Sequence, residues 1–447
     1  MEINDPHEKY ALKTPLNVAI IGGGYAGMAA AVALAARGLP VTVFESARQL
    51  GGRARGVPLS HWGRDGEGDT MLDNGQHLLL GCYRQTLRMI EQVGGNIEKD
   101  FLRLPLQLDL HGEFSLKAPR LPAPLHLLVA LLQAQGLTLR ERLSALRFMF
   151  ALRRMKFCLT HDMTVTELLA QYQQPPAAVQ KLWEPLCIAA LNTPINKASA
   201  QVLLNVLRDA LSESRADSDM LLPRINFTAL FPQRAASYIE QRGGKVLIAC
   251  GGEALCPLED GIELTSARGT EKFSHVICAT PPVVAATLLR PLSPLETVVI
   301  QIEALRHQPI YTVYLQYPAH VTLPHPMLGL HQRYTQWLFD KGLISKQHGL
   351  IAAVISAEGL HQDCSQDELT QKVIAELREE FGFIEQPQWY KVIAEKRATF
   401  CCSPNLQRPS QLTPLPRLLL AGDYTAGDYP ATLEGAVMSG LKCASMI

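Results

Sequence analysis

The sequence lacks an excess of charge of either sign and lacks long apolar runs. Its 447 residues include 42 basic and 42 acidic side chains, so no global field attracts nucleic acid. The longest apolar stretch, residues 25–36, is shorter than the ~20 residues that a membrane span needs. The first fifteen residues lack the apolar core of a secretory signal. We therefore expect a cytoplasmic protein, with any membrane contact peripheral and at the inner face of the cytoplasmic membrane.

The sequence also lacks a CxxC pair among its 10 cysteines. Scattered cysteines are typical of reduced thiols and argue against a disulfide framework or a zinc site, so we predict no metal. The motifs GxSxG, HExxH and the P-loop are absent as well. The hydrolase, metalloprotease and nucleoside triphosphatase classes therefore have no support.

Alternating strand and helix patterns predict a Rossmann-like unit near the start of the chain. An apolar β-branched run at 16–22 indicates a strand, the Ala-rich run at 25–37 a helix, and 39–45 a second strand. A mostly helical stretch follows, and strand patterns then return. We predict an α/β fold (α+β overall), in which a discontinuous dinucleotide-binding domain carries an inserted substrate domain of mixed helix and sheet. The predicted dinucleotide-binding domain comprises 1–85, 205–290 and 410–447, and the predicted substrate domain comprises 86–204 and 291–409.

Three glycines, Gly22, Gly24 and Gly27, follow the first strand and open the first helix. In this GxGxxG pattern they allow a tight turn, a close backbone approach to a pyrophosphate and close helix packing. The helix N-terminus, which includes Ala26, offers N–H donors to the phosphates. Glu45 closes the next strand, where an acid hydrogen-bonds ribose hydroxyls and disfavours NADP. A plain glycine turn with a solvated glutamate is the alternative, and it explains fewer of these positions.

A second glycine pair favours FAD over NAD. Gly51 and Gly52 permit another close backbone approach, and Arg53 can place a guanidinium beside the pyrophosphate or the flavin edge. The combination of GGGYAG, an acid and GGR resembles the FAD-binding motif of the amine oxidase and phytoene desaturase superfamily. The segments LLLAGDY at 418–424 and YPATLEGAVMSG at 429–440 look like the closing flavin motif of the same superfamily. FAD is therefore the expected cofactor, held without a covalent link.

The superfamily resemblance implies three more FAD contacts. By that resemblance Asp423 contacts the ribitol or the pyrophosphate, and the N–H of Leu433 faces the flavin pyrimidine oxygen. A helix N-terminus at Leu433 would stabilise negative charge on a reduced flavin. The resemblance also implies that the backbone of Val246 meets the adenine, although an ordinary buried strand valine fits that position too.

Longer segments resemble one family within the superfamily. DNGQH at 73–77 and WEPLCIAALNT at 183–193 look like the hydroxysqualene dehydroxylases of bacterial hopanoid biosynthesis, also labelled squalene-associated FAD-dependent desaturases. This resemblance implies that reduced FAD removes the hydroxyl of hydroxysqualene, giving squalene and water. Two alternatives stay open. One is an oxidative carotenoid-type desaturase of a long isoprenoid, because flavin motifs do not set the direction of hydride transfer. The other is a non-catalytic prenyl-lipid carrier.

His77 is the titratable residue that we expect beside the isoalloxazine, and it is the candidate catalytic residue. A protonated imidazole there would help the hydroxyl leave as water, whereas the alternative is a histidine that only holds a loop. Asp73, Tyr429 and Glu434 are weaker candidates. The segment around Trp183 fits packing at the pocket wall better than chemistry.

Residues 121–157 contain two Leu-rich helical patterns, the second opened by a Thr138-x-x-Glu141 capping box. On the second helix four apolar residues share one face, and basic residues outnumber acidic ones. The apolar set is Leu139, Leu143, Leu146 and Phe150, and the basic set is Arg140, Arg142, Arg147, Arg153, Arg154 and Lys156. A basic amphipathic helix is typical of a membrane surface element. The alternative is a helix that packs this apolar face inward and leaves its basic face solvated.

Overall fold

The computed structural model describes residues 16–59, 71–211 and 214–447. The first fifteen residues, on which the expectation about a secretory signal depends, lie outside the described residues. In chain order the strands are β1 (Val18–Ile21), β2 (Val41–Phe44), β3 (Gly56–Pro58), β4 (Met71–Asp73), β5 (Leu79–Leu80), β6 (Phe101–Leu104), β7 (Gln107–Leu110), β8 (Phe114–Lys117), β9 (Met220–Pro223), β10 (Lys245–Leu247), β11 (Gly252–Leu258), β12 (Gly261–Ser266), β13 (Gly269–Phe273), β14 (His275–Cys278), β15 (His307–Gln316), β16 (Met327–Gly329), β17 (Trp337–Asp340), β18 (Leu350–Ser356), β19 (Trp389–Phe400) and β20 (Leu418–Leu420). The α-helices are α1 (Tyr25–Ala36), α2 (Arg84–Gln92), α3 (Ile97–Asp100), α4 (Leu125–Gln133), α5 (Leu139–Arg154), α6 (Val165–Gln171), α7 (Pro176–Ala178), α8 (Glu184–Leu191), α9 (Ala200–Leu211), α10 (Phe227–Leu230), α11 (Pro232–Glu240), α12 (Pro282–Leu289), α13 (Glu296–Glu303), α14 (Lys341–Ser345), α15 (Gln366–Phe381) and α16 (Leu433–Ser445).

A five-stranded parallel sheet, in the order β10-β2-β1-β14-β20, forms the Rossmann-like part. Its strands come from three separate stretches of the chain. All four residues of β1 are buried, as expected for a parallel sheet that is covered on both faces. Helix α1 packs closely on α16, because a Cβ at Gly440 would lie 2.1 Å from the carbonyl oxygen of Ala26. The small side chains of both helices permit this approach.

A seven-stranded sheet, in the order β19-β15-β18-β17-β16-β7-β8, forms the second main layer. Its pairings are antiparallel except for the one between β16 and β7. Helix α15 covers one face through the apolar side chains Leu369, Val373 and Leu377. The predicted class, an α/β (α+β overall) fold with a Rossmann-like part and an added part of helix and sheet, is confirmed.

Helices α4 to α9 follow β8 and precede β9 in the sequence. They contribute to the largest apolar core. The predicted capping box opens α5, since Thr138 and Glu141 exchange side-chain and backbone hydrogen bonds. The predicted boundary between residues 204 and 205 falls inside α9. The division into two domains stays a prediction. Within the ranges that the structure describes, no helix combines the length and the apolar character needed to cross a membrane.

Candidate active site

One continuous cavity of about 700 Å³ joins the parallel sheet to the helices and to the seven-stranded sheet. One end is lined by glycines and charged side chains, and the other end is almost wholly apolar. Most of the residues predicted to bind the cofactor line the first end. They are Gly22, Gly24, Ala26, Glu45, Gly51, Gly52, Arg53, Asp423 and Leu433, and His77 lines the same cavity.

The glycine turn after β1 leaves room for a ligand at the sheet edge. Gly22 has a φ of +112°, and a Cβ there would lie 2.6 Å from the carbonyl oxygen of Ala279. Gly24 and Gly52 face each other, with the Cα of Gly52 4.0 Å from the position of a Cβ on Gly24. A side chain at either position would enter the cavity. This cradle therefore fits the close backbone approach that a dinucleotide pyrophosphate needs.

Glu45 holds the shape of this turn through both carboxylate oxygens. Oε2 accepts a hydrogen bond of 2.7 Å from Gly23 N, and Oε1 accepts one of 2.7 Å from Ala47 N. The side chain is buried but lines the cavity. Each carboxylate oxygen has a second lone pair, so hydrogen bonds from ribose hydroxyls remain compatible with these contacts.

Arg53 and Asp423, which the sequence analysis treated separately, form an ion pair. Arg53 Nη2 lies 2.6 Å from Asp423 Oδ1, and Arg53 Nη1 donates to the carbonyl oxygen of Ala398 at 2.8 Å. Asp423 is buried, whereas about a third of the Arg53 side chain is exposed. The pair joins the GGR segment to the closing motif at the cavity wall, where a guanidinium can meet a phosphate or a flavin edge.

Leu433 is the first residue of α16, and Thr432 caps that helix by accepting from Gly435 N. The carboxylate of its neighbour Glu434 is directed toward α2. It accepts hydrogen bonds from Gln85 N and from both Thr86 N and Thr86 Oγ1. The Glu434 contacts join α2 to α16. Glu434 therefore has a packing role.

Two predicted cofactor residues and all three weak catalytic candidates, Asp73, Tyr429 and Glu434, do not line the cavity. Gly27 lies behind the glycine turn, where a Cβ would sit 2.0 Å from the carbonyl oxygen of Gly22. Val246 is half-buried in β10, where it pairs with Val43. Tyr429 donates to Asp209 Oδ2 at 2.6 Å. Gly27 thus serves helix packing, and the adenine contact of Val246 stays a prediction.

His77 is held as a neutral imidazole at the cavity wall. Its Nδ1 lies 2.7 Å from the carbonyl oxygen of Gly75, and its ring packs 4.9 Å from the ring of Phe227. Burial lowers the pKa of His77 below its usual value, and the nearby Arg53 charge lowers it further, although the Gly75 contact opposes the shift. His77 therefore does not hold a second proton at neutral pH before substrate binds.

A buried charged group lies behind His77. Asp73 accepts from Phe227 N at 2.9 Å, and burial raises the pKa of Asp73 to about 6. Lys341, at the start of α14, is also buried, and its Nζ donates to Gln76 Oε1 at 3.2 Å. Burial lowers the pKa of Lys341, while the opposite charge of Asp73 counteracts this shift. No sequence signal pointed to Lys341, because 265 positions separate it from Gln76.

The apolar end of the cavity is built by α4, α5, α8, α9 and the neighbouring strands. Its wall includes Leu106, Leu108, Leu116, Leu127, Leu131, Met149, Leu182, Trp183, Leu186, Leu203, Val206, Leu207, Met220, Met327, Trp337 and Phe339. Trp183 Nε1 donates to Gln174 Oε1 at 2.9 Å. Such a wall can bury a long hydrocarbon chain and exclude water from the reacting end.

Comparison with known proteins places the chain in a family. The family described as flavin containing amine oxidoreductase matches residues 25–447. The chain belongs to this family. It is a FAD-dependent oxidoreductase, and its cofactor is FAD.

Curated relatives match almost the whole chain. A hydroxysqualene dehydroxylase of Sinorhizobium fredii is 28% identical over 97% of this chain and 98% of the relative. The enzyme of the same name from Rhodopseudomonas palustris is 26% identical over 96% and 98%. A zeta-carotene desaturase of Arabidopsis thaliana is 24% identical over 99% of this chain and 87% of the relative. The predicted resemblance is confirmed.

Solved structures share the fold at low identity. Cyclohexylamine oxidase from Brevibacterium oxydans superposes with a TM-score of 0.69 at 16% identity, covering 97% of this chain and 98% of that one. Putrescine oxidase bound to putrescine gives a TM-score of 0.65 at 13% identity, covering 97% and 99%. These likenesses show the fold alone.

Proposed function

We propose that the protein removes the hydroxyl group of hydroxysqualene with reduced FAD, releasing squalene and water, as a step of hopanoid or related isoprenoid biosynthesis. The observation that carries this proposal is the cavity that joins a glycine-lined charged end to a long apolar end. The bacterial relatives named hydroxysqualene dehydroxylase, which match nearly the full chain, support the same substrate.

The reaction balances with one flavin. A C–O bond breaks, a C–H bond forms on the same carbon, and the hydroxyl oxygen leaves as water after it takes a proton that comes from solvent. FAD, when bound and reduced, supplies the two electrons and the hydrogen for the new C–H bond. The contribution of this chain is to hold the cofactor, bind the hydroxyl beside it, and exclude water along the apolar wall.

The residues proposed to hold FAD fall into three sets. The two glycine turns and the N-terminus of α1 form the pyrophosphate cradle. Glu45 binds ribose hydroxyls while it fixes the first turn, and Arg53 with Asp423 contacts the pyrophosphate, the ribitol or the flavin edge. Leu433 N–H, at the start of α16, stabilises negative charge on the reduced flavin. His77 is the residue that we place beside the reacting hydroxyl.

A carotenoid-type desaturase is the second candidate, favoured by the zeta-carotene desaturase relative that covers 99% of this chain. That reaction uses oxidised FAD to remove hydride from the hydrocarbon. A non-catalytic prenyl-lipid carrier has the least support, because the glycine cradle and the pair of Arg53 with Asp423 support cofactor binding, which a carrier does not need.

Anaerobic product analysis separates these candidates. The FAD-loaded protein is incubated with hydroxysqualene after chemical reduction, and with squalene after oxidation. We expect squalene from hydroxysqualene only with reduced flavin, and no reaction of squalene with oxidised flavin. A more unsaturated product from squalene would make the desaturase the correct function. The Gly24→Trp variant is the control. Its indole is expected to fill the glycine cradle and so to prevent FAD from binding.

We also propose that α4 and α5 dock on an anionic membrane at the inner face of the cytoplasmic membrane, where a water-insoluble chain resides. Outward leucines on α4 follow helical spacing, and they are Leu125, Leu128 and Leu132, while Leu121 is exposed in the segment just before the helix. On α5, Leu139 and Phe150 are 63% and 71% exposed. The inner side of the same helices, with Leu127, Leu131 and Met149, lines the cavity. One helical layer therefore separates the outer surface from the apolar end.

A further inference from the structure

Gln76 and His77 are consecutive side chains that both line the cavity, and each is fixed by a contact on its far side. Lys341 Nζ lies 3.2 Å from Gln76 Oε1, and the carbonyl oxygen of Gly75 lies 2.7 Å from His77 Nδ1. These contacts determine which atoms of the two side chains donate hydrogen bonds and which accept them.

The ammonium of Lys341 decides which way the Gln76 amide faces. An ammonium has three donors and no acceptor, so it binds the amide oxygen and not the amide nitrogen. Gln76 Nε2 then lies 3.2 Å from the carbonyl oxygen of His77, which uses one of its two N–H groups. The second N–H is a donor beside His77. The charge of Asp73 helps Lys341 stay protonated in its buried position.

The Gly75 carbonyl decides the tautomer of His77. A carbonyl oxygen only accepts, so Nδ1 carries the hydrogen, and Nε2 of the neutral ring is an acceptor. Residues 76 and 77 thus offer one donor and one acceptor next to each other on the wall of a cavity that is apolar along much of α8 and α9.

We propose that Gln76 and His77 form the binding pair for the substrate hydroxyl, and that Lys341 is the positioning residue that orients Gln76. An alcohol donates one hydrogen and accepts through its oxygen, so it matches the pair, whereas a plain hydrocarbon leaves both groups unpaired. A site of this kind selects for the ligand that carries the hydroxyl. The inference rests on the proposed function, since it assigns the place of the group that is removed.

The test measures affinity without turnover. Oxidised, FAD-loaded protein is titrated with hydroxysqualene and with squalene in detergent micelles, and the flavin absorbance reports binding. We expect the parent to bind hydroxysqualene up to about a hundredfold more tightly than squalene, since each of the two neutral hydrogen bonds supports up to about tenfold. Gln76→Glu keeps the acceptor for Lys341 but loses the N–H donor, so the ratio should fall up to about tenfold, while the bond to His77 remains.

Gln107→Glu is the matched control, because Gln107 lines the same cavity and receives the same change. It should weaken both ligands alike and keep the parent ratio. Lys341→Arg, which is also a donor only, should keep the ratio, and Lys341→Met should lower it. The absorption spectrum of the bound flavin is recorded for each variant as the check that the variant is folded.

The outcomes separate the inference from the proposed function. Equal affinity of the parent for both ligands, or a parent-like ratio in Gln76→Glu, would overturn the binding pair even where the parent makes squalene. A parent-like ratio in Lys341→Met would overturn the positioning role. A parent that shows the expected ratio but makes no squalene with reduced flavin would sustain the binding pair and refute the proposed reaction.

Discussion

Glu45 is the residue for which we propose both a structural and a binding role. Its two oxygens bind Gly23 N and Ala47 N, which fixes the glycine turn on one side and the segment after β2 on the other. We propose that the second lone pair of Oε2 accepts from a ribose hydroxyl, since Oε1 also lies 3.4 Å from Ser46 Oγ. The turn and the proposed cofactor contact then depend on the same carboxylate.

We expect Glu45→Ala to weaken FAD retention by roughly tenfold to hundredfold, since one hydrogen bond to a charged group contributes about 1.5–3 kcal/mol. Equilibrium dialysis with flavin fluorescence measures the loss. Glu253→Ala removes an exposed glutamate of β11 and should leave retention unchanged. Retention that equals the parent in Glu45→Ala would remove Glu45 from the cofactor site.

The pKa of His77 leads to a prediction for the pH dependence of turnover. Burial places this pKa below 6.5, so the imidazole is neutral at pH 7 and gains a proton only as the pH falls through the lowered value. If the neutral ring accepts from the substrate hydroxyl, kcat/KM should stay level between pH 8 and 7 and decline at lower pH. A rate that rises as the pH falls would instead identify His77 as the proton donor.

Asp73, with a pKa of about 6, also titrates below pH 7, so a variant must separate the two groups. His77→Gln keeps an acceptor oxygen but has no titratable group at position 77. It should remove only the part of the decline in kcat/KM at low pH that His77 causes. Any decline that persists belongs to Asp73 or to another group. An acid limb that is identical in parent and variant would contradict the assignment to His77.

At the scale of single residues, the sequence predicts best where the chemistry is local. The glycine turns, Glu45 and the start of α16 are set by short motifs, and the structure brings them to one cavity. The contact between Lys341 and Gln76 joins two distant parts of the chain. No spacing pattern describes such a pair, because only the packing of α14 beside the segment after β4 creates it.

At the scale of helices, α5 has two apolar faces, and the sequence does not determine which one is buried. Ala145, Phe148, Met149 and Leu152 face the core, whereas the predicted face, with Leu139 and Phe150, is mainly outside. Leu146 of the predicted face packs against the core, so α5 is held mainly by its other apolar face, and the choice between membrane docking and a solvated basic face stays a prediction. The packing of neighbouring helices determines which face of α5 is buried, and the helical period of the sequence does not specify that packing.

The basic residues of α5 also divide by position. Arg142 donates to the carbonyl oxygens of Leu132 and Leu137, so it joins α5 to α4. Arg153 is half-buried and has its own contacts. Arg147 and Arg154 are exposed on the same helix, and they are the residues through which attraction to an anionic surface can be tested.

We expect Arg147→Glu with Arg154→Glu to release the protein from anionic vesicles, because each basic residue near such a surface contributes about 1 kcal/mol. Binding of the parent should also decline between about 0.1 M salt, where the Debye length is ~10 Å, and 1 M, where it is ~3 Å. Sedimentation with vesicles measures both effects. Arg242→Glu with Lys245→Glu, a matched change elsewhere on the surface, should sediment like the parent. Cosedimentation of the α5 variant with vesicles would show that its basic face is only solvated.

At the scale of the whole molecule, the cavity connects two sites with different tasks. The glycine cradle and the pair of Arg53 with Asp423 lie at one end, and the inner faces of α4 and α5 lie at the other. In the proposed function the first end binds the cofactor through backbone and charge, and the second end takes up an apolar chain. Changes at the outer surface should therefore affect supply of the substrate and leave the chemical step intact.

This separation predicts that a change at the outer surface lowers turnover in vesicles but not in detergent micelles. The variant with Arg147→Glu and Arg154→Glu should lose most turnover of hydroxysqualene embedded in anionic vesicles, because it no longer reaches the surface that holds the chain. With the same substrate dispersed in neutral detergent micelles, it should turn over like the parent and retain FAD, since neither residue lines the cavity. Squalene release under anaerobic conditions with reduced flavin gives both rates. Equal loss in vesicles and in micelles would mean that α5 supports the cavity itself, and the substrate would then enter through another part of the surface.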